Sequence, residues 1–444
     1  MFRMFQRPSA NTYRLLATLS LSLVLLLQAC GGGSNGNYKT VDTGGGHTIN
    51  INGDAKFSGR IIFVQNRNIL LLNGKDNIIT NLTSNGWDLQ PSLSPDGKTL
   101  AFEVRKPNFD YSDLATMPLS GGAPSLVTDD AMHAFSPGNA PQNHYQFWAN
   151  EPIWTADGQN LIYLSDFFKG QATTNLYNQT CPGNAAGDWI LDMGIVETSA
   201  TGPAVPAVAA NGRVHAPKQL AWPYCYAGGD QDISLRPGAS DTEILFTSFQ
   251  YTGQNLDLAA QLSLLILPNG GGPERLIQLS PPDPNTLPLE PSWSPDGKYI
   301  TYIRRENGQD NLYIMPIPDA NITGTPNDES YLLNGGDRMV YYTNTSYYSQ
   351  SQLLAQGLYG NPVWSPDGKN LVFMKFDTSD NGGTFDLFTA KLKFSAPAVG
   401  PTGTPNPSPT AAPASGPIIS IDGAQVSLTR GGVDGESRPI WIGG

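Results

Sequence analysis

The stretch PSWSPDGKYITYI, residues 291–303, decides how this chain is built, because it recurs. PVWSPDGKNLVFM occupies 362–374 and PSLSPDGKTLAFE occupies 91–103. A looser copy, PIWTADGQNLIYLS, spans 152–165, and a decayed one, ISLRPGASDTEILFTS, spans 233–248 and keeps Pro237-Gly238 without the Asp-Gly pair. In each full copy a proline presets φ for a turn, an aspartate hydrogen-bonds locally, and a glycine takes a positive φ that other residues resist. The apolar run that follows has the look of a strand buried within stacked sheets. Each copy therefore reads as a β-hairpin.

One further, more exposed strand follows each hairpin, as in DNLYIMPI and FDLFTAKL, and an outer strand often closes near "LT" or "LLN". Four strands per unit, repeated along the chain, is the arithmetic of a β-propeller with long loops added. Five units start near Pro91, Pro152, Ile233, Pro291 and Pro362. The segment 59–83 has the later strands of a unit without a first strand, and SRPIWIGG at the C-terminus has a first strand with nothing after it. Pairing Ile440 and Trp441 with the segment from Gly59 completes a sixth blade and removes two exposed sheet edges. The expectation is an all-β, six-bladed propeller of four-stranded antiparallel blades, its ring closed by the N- and C-terminal strands.

Composition agrees with that reading. Of 444 residues, 39% are hydrophobic and only 14% charged, with 48 glycines and 36 prolines, which suits short strands joined by many turns. The formal net charge is −12, and no Lys/Arg-rich run follows the N-terminus, so nucleic acid is not an expected partner. Arg3, Arg7 and Arg14 precede an apolar stretch ending in Leu27-Gln28-Ala29-Cys30. That stretch resembles a bacterial lipoprotein signal, which makes residues 1–29 a signal peptide, Cys30 the lipidated residue, and 30–54 a flexible tether. Such a chain is held at a membrane by acyl groups within the cell envelope, facing the periplasm or the exterior.

The repeated P-x-W-S-P-D-G-K-x-I-x-F pattern resembles the TolB-type propeller repeat, and the likeness covers the chain from about Gly59 onward. The resemblance implies a six-bladed propeller of the cell envelope that binds other proteins, and it implies no catalytic mechanism. TolB carries an α/β domain ahead of its propeller. The stretch between Cys30 and Gly59 is too short for one, so the expectation is a relative without that domain, with a propeller over 55–444.

Function then rests on the loops. Residues 133–152, 222–232 and 337–361 link successive units and are expected on the rim opposite the S-P-D-G turns. They would bring His144, Tyr145, Trp148, Trp222, Tyr224, Tyr226, Tyr341, Tyr342, Tyr347 and Tyr348 to one face among Asn, Gln and Ser. Tyr and Trp in such company make good contact surfaces for a partner protein or a glycan. The alternative is that these loops pack on one another. Cys181 and Cys225 are the two cysteines left beside Cys30, and a disulfide between them is expected in an oxidising compartment.

Catalytic signals are thin. GGSNG at 32–36 matches G-x-S-x-G but has no strand before it or helix after it. His133 and His144 lack tight metal-ligand spacing, and DTSDNGGTFD at 377–386 lacks the terminal glutamate of a calcium loop. No catalytic residue, metal or cofactor is therefore expected. The Pro/Thr-rich segment 396–417 has a composition that cannot bury a core and reads as a disordered insertion in the last blade. The expected function is a monomeric, non-catalytic binding or scaffold module for an envelope protein or cell-wall glycan. An envelope polysaccharide lyase or hydrolase on the same scaffold is the alternative.

Overall fold

Each S-P-D-G stretch closes a turn in the same way. Ser94 Oγ donates to Asp96 Oδ1 at 2.6 Å and accepts from the Thr99 amide at 2.9 Å, while Gly97 sits at φ +71°. The same bonds recur around Ser294 and Asp296, and around Ser365 and Asp367. The looser copy substitutes Thr155 for the serine and keeps Asp157 and Gly158, at φ +68°. The turn is therefore a side-chain clamp, which the repeated sequence encodes residue by residue.

The structure is a computed structural model that describes residues 37–105, 111–128, 148–166, 193–201, 217–221, 227–252, 257–332, 338–379, 383–395 and 417–443. Among these the fold is all-β, with six sheets of four or more strands and one three-stranded sheet. The first sheet joins Ile440–Ile442 to Arg60–Gln65, Asn68–Asn73 and Ile79–Asn81. The second runs Asp88–Leu93, Thr99–Arg105, Ser112–Pro118, Ser125–Leu126, and the third Ala149–Trp154, Asn160–Ser165, Gly194–Ser199, Lys218–Ala221. The fourth begins Ala227–Leu235, Thr242–Thr252, Asp257–Leu267, Arg275–Gln278. The fifth is Leu287–Trp293, Tyr299–Glu306, Gln309–Pro316, Gln352–Ala355, and the sixth Tyr359–Trp364, Asn370–Asp377, Thr384–Ser395, Ile418–Ile421.

Chain ends meet in the first sheet as the sequence predicts: Arg60 pairs with Ile442, Ile61 with Trp441 and Ile62 with Ile440, all antiparallel. Gly59, at φ +86°, makes the approach possible, since a Cβ there would lie 2.0 Å from the Ile442 carbonyl oxygen. Trp441 locks the joint by donating its indole N–H to the Ser58 carbonyl at 2.8 Å.

Alternating residues of the middle strands feed two different apolar layers, which explains their unbroken hydrophobic runs. Ile62 and Val64 pack with Phe102 and Met117 of the second sheet, whereas Ile61 and Phe63 pack with Val372 and Leu387 of the sixth. Further layers join the second to the third sheet through Leu114 and Tyr163, and the third to the fourth through Ile162 and Phe246. The fourth meets the fifth through Leu264 and Tyr302, and the fifth meets the sixth through Ile303 and Phe373. These side chains are almost wholly buried.

Two expectations are corrected. The tether gives way at Tyr38, because Tyr38–Gly44 and His47–Asn52 form a hairpin that pairs with Thr429–Arg430. Ile49 and Ile51 of this hairpin are buried between the sixth and first sheets. The alternation His-Thr-Ile-Asn-Ile-Asn after a Gly-Gly-Gly turn is a hairpin signal. The second correction concerns 337–361, which does not simply link two units. Arg338–Thr343 lies parallel to Arg275–Gln278 and pairs with Thr325–Leu332, so the fourth sheet has six strands. The signal peptide, Cys30 and residues 396–416 lie outside the described residues. The strands flanking that last segment pair directly, Ser395 with Ile418 and Leu392 with Ile421.

Candidate functional site

Of the residues expected on a loop-rich contact face, His144, Tyr145, Trp222, Tyr224 and Tyr226 lie outside the described residues, as do His133, Cys181 and Cys225. Trp148 is half-buried, with the Arg105 guanidinium 6.0 Å from its ring centre. The four described tyrosines are not brought together on a face. Tyr341 is 2% exposed in the layer between the third and fourth sheets, and its hydroxyl accepts from Gln261 Nε2 at 2.9 Å. Tyr347 is buried against the fourth and fifth sheets and donates to Asp319 Oδ2 at 2.5 Å. Burial, the Asp319 bond and the Asp319 charge push its hydroxyl up to about 12. Tyr342 and Tyr348 pack on the same layer, and the Tyr348 ring lies 5.9 Å from that of Tyr302. Tyr341 and Tyr342 belong to the sheet extension, and Tyr347 and Tyr348 to the short helical turn that follows it, roles that the tyrosine-rich sequence does not distinguish from a contact loop.

Two polar constructions escaped the sequence reading. The first is a belt of hydrogen bonds along the first strands. Each of five first strands carries one non-glycine residue at positive φ beside a register shift: Gln90, Glu151, Asp232, Glu290 and Asn361. Glu151 donates its backbone N–H to Gln90 Oε1 at 2.7 Å, Ile233 to Glu151 Oε2 at 3.2 Å, and Glu290 to Asp232 Oδ2 at 3.1 Å. Asn361 donates likewise to Glu290, and its side chain reaches the Gly435 carbonyl. The Gln90 amide returns to Ser437 Oγ at 3.0 Å. Bulges re-aim these side chains, so each strand holds the next. Arg438, next to Ser437, donates to the carbonyls of Ile233 and Asp232.

The second construction is Glu103, fully buried where the other hairpins carry Leu164, Ile303 and Met374. Its Oε1 accepts from Arg105 Nε at 2.9 Å, and Arg105 Nη1 pairs with Glu436 at 2.8 Å. Burial raises the Glu103 carboxyl to about 7 against the opposing pull of Arg105.

The candidate contact site lies on the S-P-D-G side, between the turns of the fifth and sixth sheets. A groove of about 420 Å³ is lined by Ser294, Pro295, Asp296, Tyr299, Trp364, Pro366, Asp367, Gly368 and Phe394. The Tyr299 ring lies 6.2 Å from Trp364 at 28° and 5.7 Å from Phe394 at 56°. Phe394 is 42% exposed, a large apolar side chain left in water at the groove edge. Trp364 is buried in the wall, and like that of Trp293 its indole N–H has no acceptor among the described residues, whereas Trp154 and Trp441 donate to the carbonyls of Ser92 and Ser58.

Two departures from the repeat create this groove. Tyr299 stands where the other clamped turns continue with Thr99, Asn160 and Asn370. Phe394 comes near the end of a 12-residue third strand, whose counterparts in the second, fifth and fourth sheets have 7, 8 and 11 residues. Asp296 and Asp367 each commit Oδ1 to the turn clamp. The Ser365 bond holds the Asp367 carboxyl below the usual range, so it is charged at neutral pH. Asp96 pairs with its own Lys98 at 3.8 Å, but among the described residues neither Asp296 nor Asp367 forms an ion pair.

No protein-family model matches the chain, and no curated protein matches it. Solved structures similar to it include TolB from Acinetobacter baumannii, at 15% identity and a TM-score of 0.41, covering 77% of this chain. The chain spans 62% of the length of that protein. A putative TolB from Agrobacterium tumefaciens is 14% identical with a TM-score of 0.40, covering 75% of this chain and 84% of its own. The β-propeller domain of the Trilobed protease from Pyrococcus furiosus is 11% identical with a TM-score of 0.31, covering 79% and 95%.

Proposed function

We propose that this chain is a lipid-anchored protein of the bacterial cell envelope that holds a partner on a propeller scaffold and performs no chemistry itself. The six sheets are the blades of a closed ring. Supporting the ring are the six apolar layers, each shared by successive sheets, and the contacts of Ile440–Ile442 with the first strands of both the sixth and second sheets. Supporting the anchor is the stretch ending at Cys30, which resembles a lipoprotein signal.

The observation that carries the binding role is the aromatic groove between the fifth and sixth sheets. Its two distinguishing residues, Tyr299 and Phe394, are departures from the repeat that leave aromatic surface partly in water. Exposed aromatic surface around a concavity is what a recognition site needs. The test has two parts. Incorporation of labelled palmitate into the wild type and not into Cys30→Ala establishes the anchor. Cross-linking in the native envelope, with a photoreactive residue at Phe394 and another at Ile78, an exposed residue outside the groove lining, then asks whether a discrete partner is captured at the groove alone. Equal or absent capture at both positions overturns the binding role assigned to the groove.

A further inference from the structure

Three features of the groove bear on what it takes. The lining carries two carboxylates, Asp296 and Asp367, and no cationic group. Each carboxylate is oriented through Oδ1 by its own turn, and Oδ2 enters no ion pair among the described residues. The same lining holds the partly exposed rings of Tyr299 and Phe394, and the faces of aromatic rings carry negative potential. Carboxylates and ring faces both attract cations and both repel anions. Ring stacking further favours a flat, weakly hydrated cation over a compact, strongly hydrated one.

Resting on the binding role of the groove, we propose that its occupant is an exposed arginine of a partner protein, stacked on Tyr299 and Phe394 and held by Asp296 and Asp367. The planar guanidinium fits both parts of the site, since it stacks on aromatic faces and presents several N–H donors to carboxylate oxygens. The chain's own net charge of −12 favours the approach of a basic partner.

The test uses the full chain in detergent, labelled with 4-fluorophenylalanine. The Phe394 fluorine signal is assigned from its loss in Phe394→Leu. Acetyl-arginine amide is titrated into the millimolar range, beside acetyl-citrulline amide, which has nearly the same shape without the charge. The expected result is a saturable shift of the Phe394 signal with arginine, at least about tenfold weaker binding of citrulline, and weakening by raised salt. Asp296→Asn and Asp367→Asn keep the Oδ1 acceptor of the turn and should each weaken arginine binding about fivefold or more. A Phe394 shift of equal strength for arginine and citrulline overturns the cation assignment and leaves the groove as a contact site. No shift with either probe, or a shift unaffected by both Asp→Asn changes, overturns the arginine assignment, and the envelope cross-link from Phe394 then decides separately whether the groove binds anything.

Discussion

Asn361 donates its backbone N–H to Glu290 Oε2 at 2.5 Å, tying the first strand of the sixth sheet to that of the fifth. The bond is buried and involves a carboxylate, so removing the acceptor strands an amide away from water. Glu290→Ala should cost about 2–3 kcal/mol, a range set by charged buried hydrogen bonds. Glu290→Gln keeps an acceptor and should cost clearly less. Urea midpoints of the two variants at neutral pH check the order, and equal losses would mean that the belt bond contributes little.

Glu103 predicts a slope of stability with pH. Its folded value, about 7, lies above its ordinary value of 4.5, so the folded state prefers the protonated form. The stability this preference provides is complete below about pH 4.5 and is lost as pH rises through 7. The full loss is on the order of 3 kcal/mol, from a shift of about 1.4 kcal/mol per pH unit. Glu103→Gln removes the slope, so the variant should gain on the wild type between pH 5 and pH 8. Denaturation at those two pH values measures it, and a constant difference between the chains would argue against it.

Tyr341 and Tyr347 should behave as core residues. Tyr341→Phe removes the buried hydroxyl that accepts from Gln261 Nε2 and should cost about 1 kcal/mol. Tyr347→Ser removes a buried ring and should cost about 3 kcal/mol or more. Thermal unfolding tests both, and unchanged melting temperatures would return these residues to the surface.

The hairpin over 38–52 should stabilise the rest of the chain. Ile51→Ala opens a cavity in the layer between the sixth and first sheets and should cost about 2–4 kcal/mol. The exposed Thr40→Ala in the same hairpin should cost less than about 1 kcal/mol. If both are neutral in chemical denaturation, the segment is a tether after all.

Much of the fold was legible in the sequence, because its strongest signals are local. Ser94, Asp96, Gly97 and their counterparts clamp a turn with their own side chains, so the hairpin is visible without knowing the partner strand. The pairing of Trp441 with Ile61 was legible by elimination, as each end held part of one unit. What escaped depends on neighbours distant in sequence. Met339, Val340, Tyr341 and Tyr342 form a strand because Arg275–Gln278 offers a free edge, and no local pattern records that. The belt was hidden for the same reason, since Gln90 looks like any polar residue before a proline until Glu151 is beside it. The groove had a faint trace, a tyrosine after Lys298 where Thr99, Asn160 and Asn370 occur elsewhere.

The pairing of Ile61 with Trp441 also orders events in time. Synthesis delivers Ile61 well before its partner Trp441, which follows only after the strands of five further sheets have been made. Until then Arg60–Gln65 presents an open, apolar edge, the kind of surface on which chains join one another wrongly. Contacts this distant along the chain make for slow folding. Loss of Ile440–Ile442 would thus leave an otherwise folded chain holding a permanent sticky edge, so damage to that short strand should be seen first as clumping during production.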